Sequence, residues 1–292
     1  MKRLMIYKNY IIKLVGALFF AITCFITPAA SAADPDILKM VFVPASEKGD
    51  DSDYKSLINI ISERAGIKIE PIKVTDYNAA VEAMRANRAQ IAWYGGKTYI
   101  KAAEIANAEA FAAGVRKGDT NAGYYAYFVV RDDSELISLK DVKGKTLGLN
   151  SIGSTSGDLI PKVELIKIGL STDNKKDFKR VVYAGSHDAC LLSVINKHVD
   201  VCGMSSRNFD ARLSDGTFTS DQVRIIHRSP LVPPPLAYSK NLSVNLRNRI
   251  KIATLEAHKF GKIGGYGGEM SHYIEVLDSD YDTLRDIEKL LK

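Results

Sequence analysis

Ile37 to Pro44 reads ILKMVFVP, Tyr54 to Ala65 reads YKSLINIISERA, and Ala89 to Tyr94 reads AQIAWY. The first is an apolar run with the look of a strand; the second spaces its apolar residues for one face of a helix and is closed by Gly66. Ile67 to Val74 is strand-like again, and Asp76 caps a helix from Tyr77 to Arg88. AQIAWY is then a short strand that enters Gly95-Gly96 and is followed by a helix from Thr98 to Ala106. A strand and helix repeated in this way predict an α/β fold with largely parallel sheets.

The rhythm continues outward. Strands are expected at Thr146–Asn150, Arg180–Tyr183, Asp200–Met204 and Val223–His227. Helices are expected from Ser154 to about Ile168 with a break at Pro161, then at Asp188–Lys197 and Asn208–Leu213. So many units exceed one compact sheet, and the long strand Gly123–Arg131 and the proline-rich Pro230–Pro235 read as two connections. The expected architecture is two lobes with the second inserted into the first: residues 33–126, then 127–232, then a return segment 233–292. A helix Val244–Phe260, an exposed glycine-rich connector Gly261–Gly268 and a terminal helix from about Tyr281 complete that return. With 292 residues, 46% hydrophobic and 25% charged, the chain is neither disordered nor a small disulfide scaffold.

The formal charge is +6, from 40 basic and 34 acidic residues. Lys2, Arg3, Lys8 and Lys13 fall in the first 13 residues; without them the balance is 36 against 34, or +2. The basic character is therefore in part that of the N-terminus and does not point to nucleic acid. The basic stretch leads into the apolar run Leu14–Thr27 and then Ala30-Ser31-Ala32, the pattern of a signal peptide (residues 1–32) cleaved near Ala32. The residues before Cys24 make a poor lipobox, so a free exported protein is expected, in the periplasm. Past that segment only Cys190 and Cys202 remain, an even pair that permits a disulfide or two buried thiols and matches no zinc spacing.

Gly153-Ser154-Thr155-Ser156-Gly157 follows a strand and opens a helix. Unpaired N–H groups at the positive end of a helix, with hydroxyls beside them, suit an anion, and no lysine is required. The alternative is an ordinary serine cap. The Gly-Lys-Ser/Thr ending of a Walker loop is absent. Ala184-Gly185-Ser186-His187-Asp188 occupies a second such junction, where Ser186 and His187 are candidate donors and a plain cap is again the alternative. A Ser-His-Asp triad is disfavoured there, because adjacent side chains diverge and cannot hydrogen-bond in series. Tyr77, Trp93-Tyr94 and Tyr124-Tyr125 stand at element ends, where binding residues concentrate. His198, His227, His258 and His272 show no ligand spacing.

In order along the chain, Asp76-Tyr77, Met84-Arg85, Gln90-Ile-Ala-Trp-Tyr-Gly95, Gly123-Tyr124, Ser154-Thr155-Ser156-Gly157, Asp177-Phe-Lys-Arg180, Ala184-Gly185, Val199-Asp-Val201 and Ser229-Pro-Leu-Val-Pro233 resemble the phosphonate-binding proteins of ABC importers. The likeness covers about Ile37 to Pro233 and extends weakly to Asp280-Tyr281. It implies a type II periplasmic binding protein fold, two α/β lobes with the ligand cleft at the hinge. It further implies that phosphonate or phosphate oxygens are held by Ser154, Thr155, Ser156 and His187, with Tyr77 and Tyr124 lining the pocket beside Trp93-Tyr94-Gly95. Where aminoalkylphosphonate binders have two acids for the ligand's ammonium, this chain has Arg207 and the run Pro233-Pro234-Pro235. Unless Asp188 or Asp210 substitutes, the resemblance implies phosphate, phosphite or a small alkylphosphonate. Arg207 either pairs with a second anionic group or faces solvent.

The expected function is capture of a small phosphorus oxyanion for an ABC permease, by a monomer without cofactor or metal. A ligand sensor that signals to a membrane kinase or cyclase is the alternative, and a periplasmic phosphatase the third reading. The last is disfavoured by the lack of a metal cluster, activated nucleophile or carboxylate pair in the sequence.

Overall fold

The computed structural model describes residues 33–46 and 50–291, so the expected signal peptide lies outside the described residues. Strands β1 (Ile37–Phe42), β2 (Lys68–Ile72), β3 (Ile91–Trp93) and β4 (Ala108–Arg116) alternate with helices α1 (Asp50–Ala65), α2 (Tyr77–Arg85) and α3 (Gly96–Ile105). The chain then passes into a second sheet with β5 (Tyr124–Arg131), β6 (Thr146–Leu149), β7 (Arg180–Tyr183), β8 (Val201–Ser205) and β9 (Val223–Leu231). Helices α4 (Ile160–Lys167), α5 (His187–Ile195) and α6 (Ser206–Ser214) belong to that section. The chain returns to the first sheet with β10 (Leu236–Ser239), α7 (Val244–Leu255), β11 (Ile263–Gly265), β12 (Gly268–Glu275) and α8 (Asp282–Lys289).

The first sheet has seven strands in the order β11-β12-β4-β10-β3-β1-β2, and the second has five in the order β7-β6-β8-β5-β9. Both are mixed, which narrows the expectation of largely parallel sheets. Parallel pairing is confined to β2-β1-β3 and β7-β6-β8, the strands joined by crossover helices. The other strands come back by a hairpin or by a crossing between the sheets, and they pair antiparallel. Gly123–Arg131 was expected as a connection; β5 instead pairs with both β8 and β9 inside the second sheet. The crossing itself occupies residues 117–123, and the return residues 232–235.

Alternation along β5 shows how the second sheet is buried on both faces. Tyr127 and Val129 join a cluster with Leu191, Val194 and Phe209, whereas Phe128 and Val130 join another with Leu139, Leu147 and Leu165. Cys190 of α5 and Cys202 of β8 are joined by a disulfide within the first of these clusters. The first sheet has one larger cluster that includes the rings of Tyr54, Tyr94, Tyr99, Phe111 and Tyr281. The carboxyl ends of β1, β3, β6, β7 and β8 lead into the segments that meet at the site, where α/β sheets present their ligands.

The glycine-rich stretch expected as an exposed connector is a hairpin. Ile263↔Met270 and Gly265↔Gly268 pair across it, and Tyr266 at its tip is buried. The expected break at Pro161 lies one turn earlier, where a π-helical turn, Thr155–Leu159, passes into α4. Proline is tolerated in that first turn because it lacks only an N–H that would be unpaired anyway.

Candidate functional site

The segment after β6 is built around Gly157. The Asn150 N–H donates to the Gly157 carbonyl at 2.8 Å, and the Gly157 N–H donates to the Ser154 hydroxyl at 3.0 Å. A Cβ on Gly157 would lie 2.4 Å from Asn150 Cβ and 2.9 Å from His187 Cε1, so the turn closes only over a bare α-carbon. The Leu159 N–H reaches back five residues to the Ser154 carbonyl at 3.1 Å, and the Ile160 N–H reaches the Thr155 carbonyl. This wide first turn leaves the N–H groups of Thr155 and Ser156 without a backbone acceptor among the described residues.

Segments from the first sheet brace the same turn. The Lys97 N–H, in the first turn of α3, donates to Thr155 Oγ1 at 2.9 Å, and Thr98 Oγ1 donates to the Gly153 carbonyl at 2.8 Å. The Lys97 ammonium pairs with Asp158 Oδ2 at 2.6 Å. Asp158 is fully buried and also meets Lys162 at 3.0 Å and the Tyr183 hydroxyl at 2.8 Å. A buried carboxylate with two cations and a hydroxyl donor holds its charge inside the protein, away from any anion in front of Thr155.

His187 stands at the start of α5. Its Nδ1 accepts from the Ser205 N–H at 3.3 Å, which places the proton of the neutral ring on Nε2. Burial drives its pKa down to about 3, so the ring is neutral at pH 7. Asn150 lies between His187 Nε2 (3.1 Å), the Tyr77 hydroxyl (3.2 Å) and the Ser154 hydroxyl (3.2 Å), through its Nδ2, while its Oδ1 has no partner among the described residues. Turned over, the amide oxygen accepts from all three donors, and this is the orientation that the histidine tautomer requires. Tyr77, Ser154 and His187 thus form one network that fixes the turn from within.

Ser154, Thr155, Ser156 and His187 line one face of a small cavity. Facing them are Tyr77, Trp93 and Gly95 from the ends of the first sheet, Val43 and Ala45 after β1, and Pro234 and Tyr266 from the return segment. Tyr266 lies against Trp93, with ring centroids 4.5 Å apart, and donates to Asn208 Oδ1. Tyr124 closes the cavity at the crossing. Burial raises its phenol pKa, and the nearby Ser156 hydroxyl, the Arg207 charge and the Thr155 hydroxyl oppose that rise. No carboxylate lines the cavity, and no cluster suited to a metal ion occurs among the described residues. The chemistry offered is therefore hydroxyl, phenol and amide donation to a small anion.

Of the expected ligand-binding residues, Ser154, Thr155, Ser156, His187, Tyr77 and Tyr124 meet at this cavity, whereas Tyr94, Ser186 and Arg207 do not. Tyr94 is fully buried under α2, with its hydroxyl donating to the Ala80 carbonyl at 3.2 Å; its neighbours Trp93 and Gly95 reach the cavity instead. Ser186 caps α5 by accepting from the Ala189 N–H at 3.0 Å. Arg207 is 2% exposed, which overturns the solvent-facing alternative, and it lies behind Tyr124 and Tyr266 rather than in the cavity wall. Asp188 is held by Ser46 at 2.7 Å and faces Arg212 at 3.7 Å, and Asp210 pairs with Arg116 at 2.8 Å; neither lines the cavity. Sequence reading missed Tyr266 and Asn150, whereas Pro234 comes from the run Pro233-Pro234-Pro235 already singled out. Of the two missed, only Tyr266 carried a local signal, an aromatic ring alone among four glycines.

A family model described as "ABC transporter, phosphonate, periplasmic substrate-binding protein" matches residues 40–281. The Escherichia coli phosphonates-binding periplasmic protein is 29% identical over 237 residues, covering 79% of this chain and 69% of that protein. The Mycolicibacterium smegmatis phosphate-import protein PhnD is 25% identical over 283 residues, 89% of this chain and 88% of that one. Among solved structures, Prochlorococcus marinus PhnD1 in complex with methylphosphonate superposes with a TM-score of 0.75 at 21% identity, covering 88% of this chain and 99% of that one.

Proposed function

Because the chain belongs to the phosphonate family of periplasmic substrate-binding proteins of ABC transporters, we propose that it captures a small phosphorus oxyanion for import. The candidates are a phosphonate, phosphite or phosphate. The observation that carries this reading is the wide turn at Thr155–Leu159, whose hydroxyls and open N–H groups face a cavity without carboxylates. A phosphorus oxyanion accepts hydrogen bonds on three or four oxygens and needs donors on several sides. Thr155, Ser156 and Tyr124 supply them, and Trp93 and Tyr266 exclude water, which strengthens each bond.

The two sheets are read as two lobes, residues 34–116 with 236–291 and residues 124–231, that close on the ligand about the crossings at 117–123 and 232–235. A ligand that touches both lobes stabilises the closed form by its differential affinity. Family members are substrate-binding components of transporters, which supports a binding rather than a catalytic role. Export to the periplasm with cleavage near Ala32, action as a monomer and docking to a membrane permease belong to the same reading.

A thermal-shift panel on the chain from Ala33 tests it, with phosphate, phosphite, methylphosphonate and sulfate added after refolding to strip any bound ligand. A ligand at a hundredfold excess over its Kd stabilises the fold by about 2.7 kcal/mol, a shift of several degrees. Thr155→Ala with Ser156→Ala removes two hydrogen bonds to a charged ligand, each worth about 1.5–3 kcal/mol, so affinity should fall at least about a hundredfold with the fold retained. Unchanged affinity in the double variant, or no shift with any phosphorus oxyanion, refutes the assignment.

A further inference from the structure

Arg207 is the largest side chain in the fully buried set, and it has no carboxylate partner among the described residues. Its guanidinium donates to three backbone carbonyls: Ala122 at 2.7 Å, Gly114 at 3.1 Å and Tyr266 at 3.3 Å. Its Nε–H is buried without an acceptor among the described residues. The guanidinium carbon lies 5.9 Å from the Tyr124 ring and 6.0 Å from the Tyr266 ring, the two rings that separate it from the cavity. Of the nearby acids, Asp119 and Asp210 are taken up by Arg116, and Asp188 faces Arg212. Carbonyl dipoles and ring faces soften a buried positive charge without neutralising it.

We propose that Arg207 selects ligands by charge, acting through the Tyr124–Tyr266 wall so that the bound anion is its counter-ion and a ligand carrying its own cationic group is rejected. This rests on the oxyanion reading above and narrows it to phosphorus oxyanions that bear no ammonium. Arg207 touches no part of the cavity, so its action is by field and by polarising the Tyr124 hydroxyl as a donor. A second positive charge placed in the cavity meets, across one layer of rings, a guanidinium that is itself 2% exposed, and the repulsion is therefore less screened than between surface charges.

Ethylphosphonate and aminomethylphosphonate test this, since they match in heavy-atom count and shape and differ by an ammonium. By titration calorimetry the unmodified protein should bind ethylphosphonate at least about tenfold tighter. Arg207→Gln should weaken ethylphosphonate and bring the ratio of the two affinities towards one, while Arg207→Lys, which keeps the charge, preserves the ratio. A purely structural role for the three carbonyl bonds would weaken both ligands alike in Arg207→Gln and leave the ratio unchanged, which overturns the proposal. Equal affinities in the unmodified protein overturn it without any variant, so a failure of Arg207→Gln to fold does not shelter it. If phosphate alone binds, the comparison is read on phosphate, whose affinity Arg207→Gln must lower about tenfold and Arg207→Lys retain. If nothing in the panel binds, the oxyanion reading falls and takes this inference with it.

Discussion

Two helices of the five-stranded sheet begin in the same way and end up in different roles. After β6 the chain runs through glycine and serine into a turn that presents Thr155 and Ser156 to the cavity; after β7 it runs through Gly185 and Ser186 into α5. Each serine caps its helix, Ser154 through the Gly157 N–H and Ser186 through the Ala189 N–H. The difference lies in what fills the remaining donors. At α5 the His187 N–H is taken by the Ala45 carbonyl at 3.2 Å, and of this junction only His187 lines the cavity. At the first junction the π-width turn pushes the acceptors one residue further on and leaves N–H groups open. A helix start is an anion site where its donors are left over, and serine in the sequence does not by itself say which case holds.

The two glycines of these junctions should break the comparison most sharply. Gly157→Ala drives a Cβ into Asn150 and His187, with no flexible end to move aside. It should abolish oxyanion binding and cost about 1–3 kcal/mol of stability by overpacking. Gly185 has a φ of +92° but open space around it, so Gly185→Ala should cost about 1–2 kcal/mol of backbone strain and leave the Kd within about twofold. Calorimetric titration with chemical denaturation of both variants measures the contrast; equal loss of binding would show that the two junctions are not distinct.

How much of this was legible in the sequence follows the same division between local and long-range causes. β1, β2, β3 and the helices between them were readable because local patterning alone produces them: branched apolar runs, helical spacing and an aspartate cap. The serine-rich turn was readable as a donor array for the same reason. β4 was not anticipated, since AEAFAAGVR lies inside the sheet with small residues that favour no single state. The hairpin carrying Tyr266 read as a connector, because glycine-rich strands announce neither their partners nor their register. Its ring belongs to the site only through pairing with residues more than 150 positions away. Arg207 shows the limit for charge: a lone arginine predicts exposure, and only the three carbonyls gathered by the fold account for its burial.

The next sharpening is by pH, at the one group that the second junction sends to the cavity. His187 has a pKa of about 3 in the folded protein, from burial, against about 6.5 when exposed. Above pH 6.5 the ring is neutral in both states and contributes no pH dependence. As pH falls below 6.5 the unfolded chain takes up a proton that the native protein refuses, so stability is lost progressively until about pH 3. One proton corresponds to a slope of up to about 1.4 kcal/mol per pH unit. Denaturant melts between pH 6 and 4 should therefore show His187→Gln losing about 2–3 kcal/mol less than the unmodified protein over that interval. Parallel stability curves would mean that the ring is hydrated in the native state.

The smallest effect is the most diagnostic of the division between the two junctions. Ser186→Ala removes the cap of α5, and Ser186 is not among the residues lining the cavity. Loss of an N-cap of this kind costs about 1 kcal/mol, and oxyanion affinity should stay within about twofold because His187 is held independently by the Ser205 N–H and the Ala45 carbonyl. Ser154→Ala removes the matching cap and also withdraws a donor from Asn150, whose amide couples the turn to Tyr77 and His187. It should therefore lower both stability and affinity. If Ser186→Ala weakened binding as much as Ser154→Ala, both helix starts would be contributing donors to the ligand. The distinction between a filled and an open N-terminus would then have to be replaced by one of distance to the ligand alone.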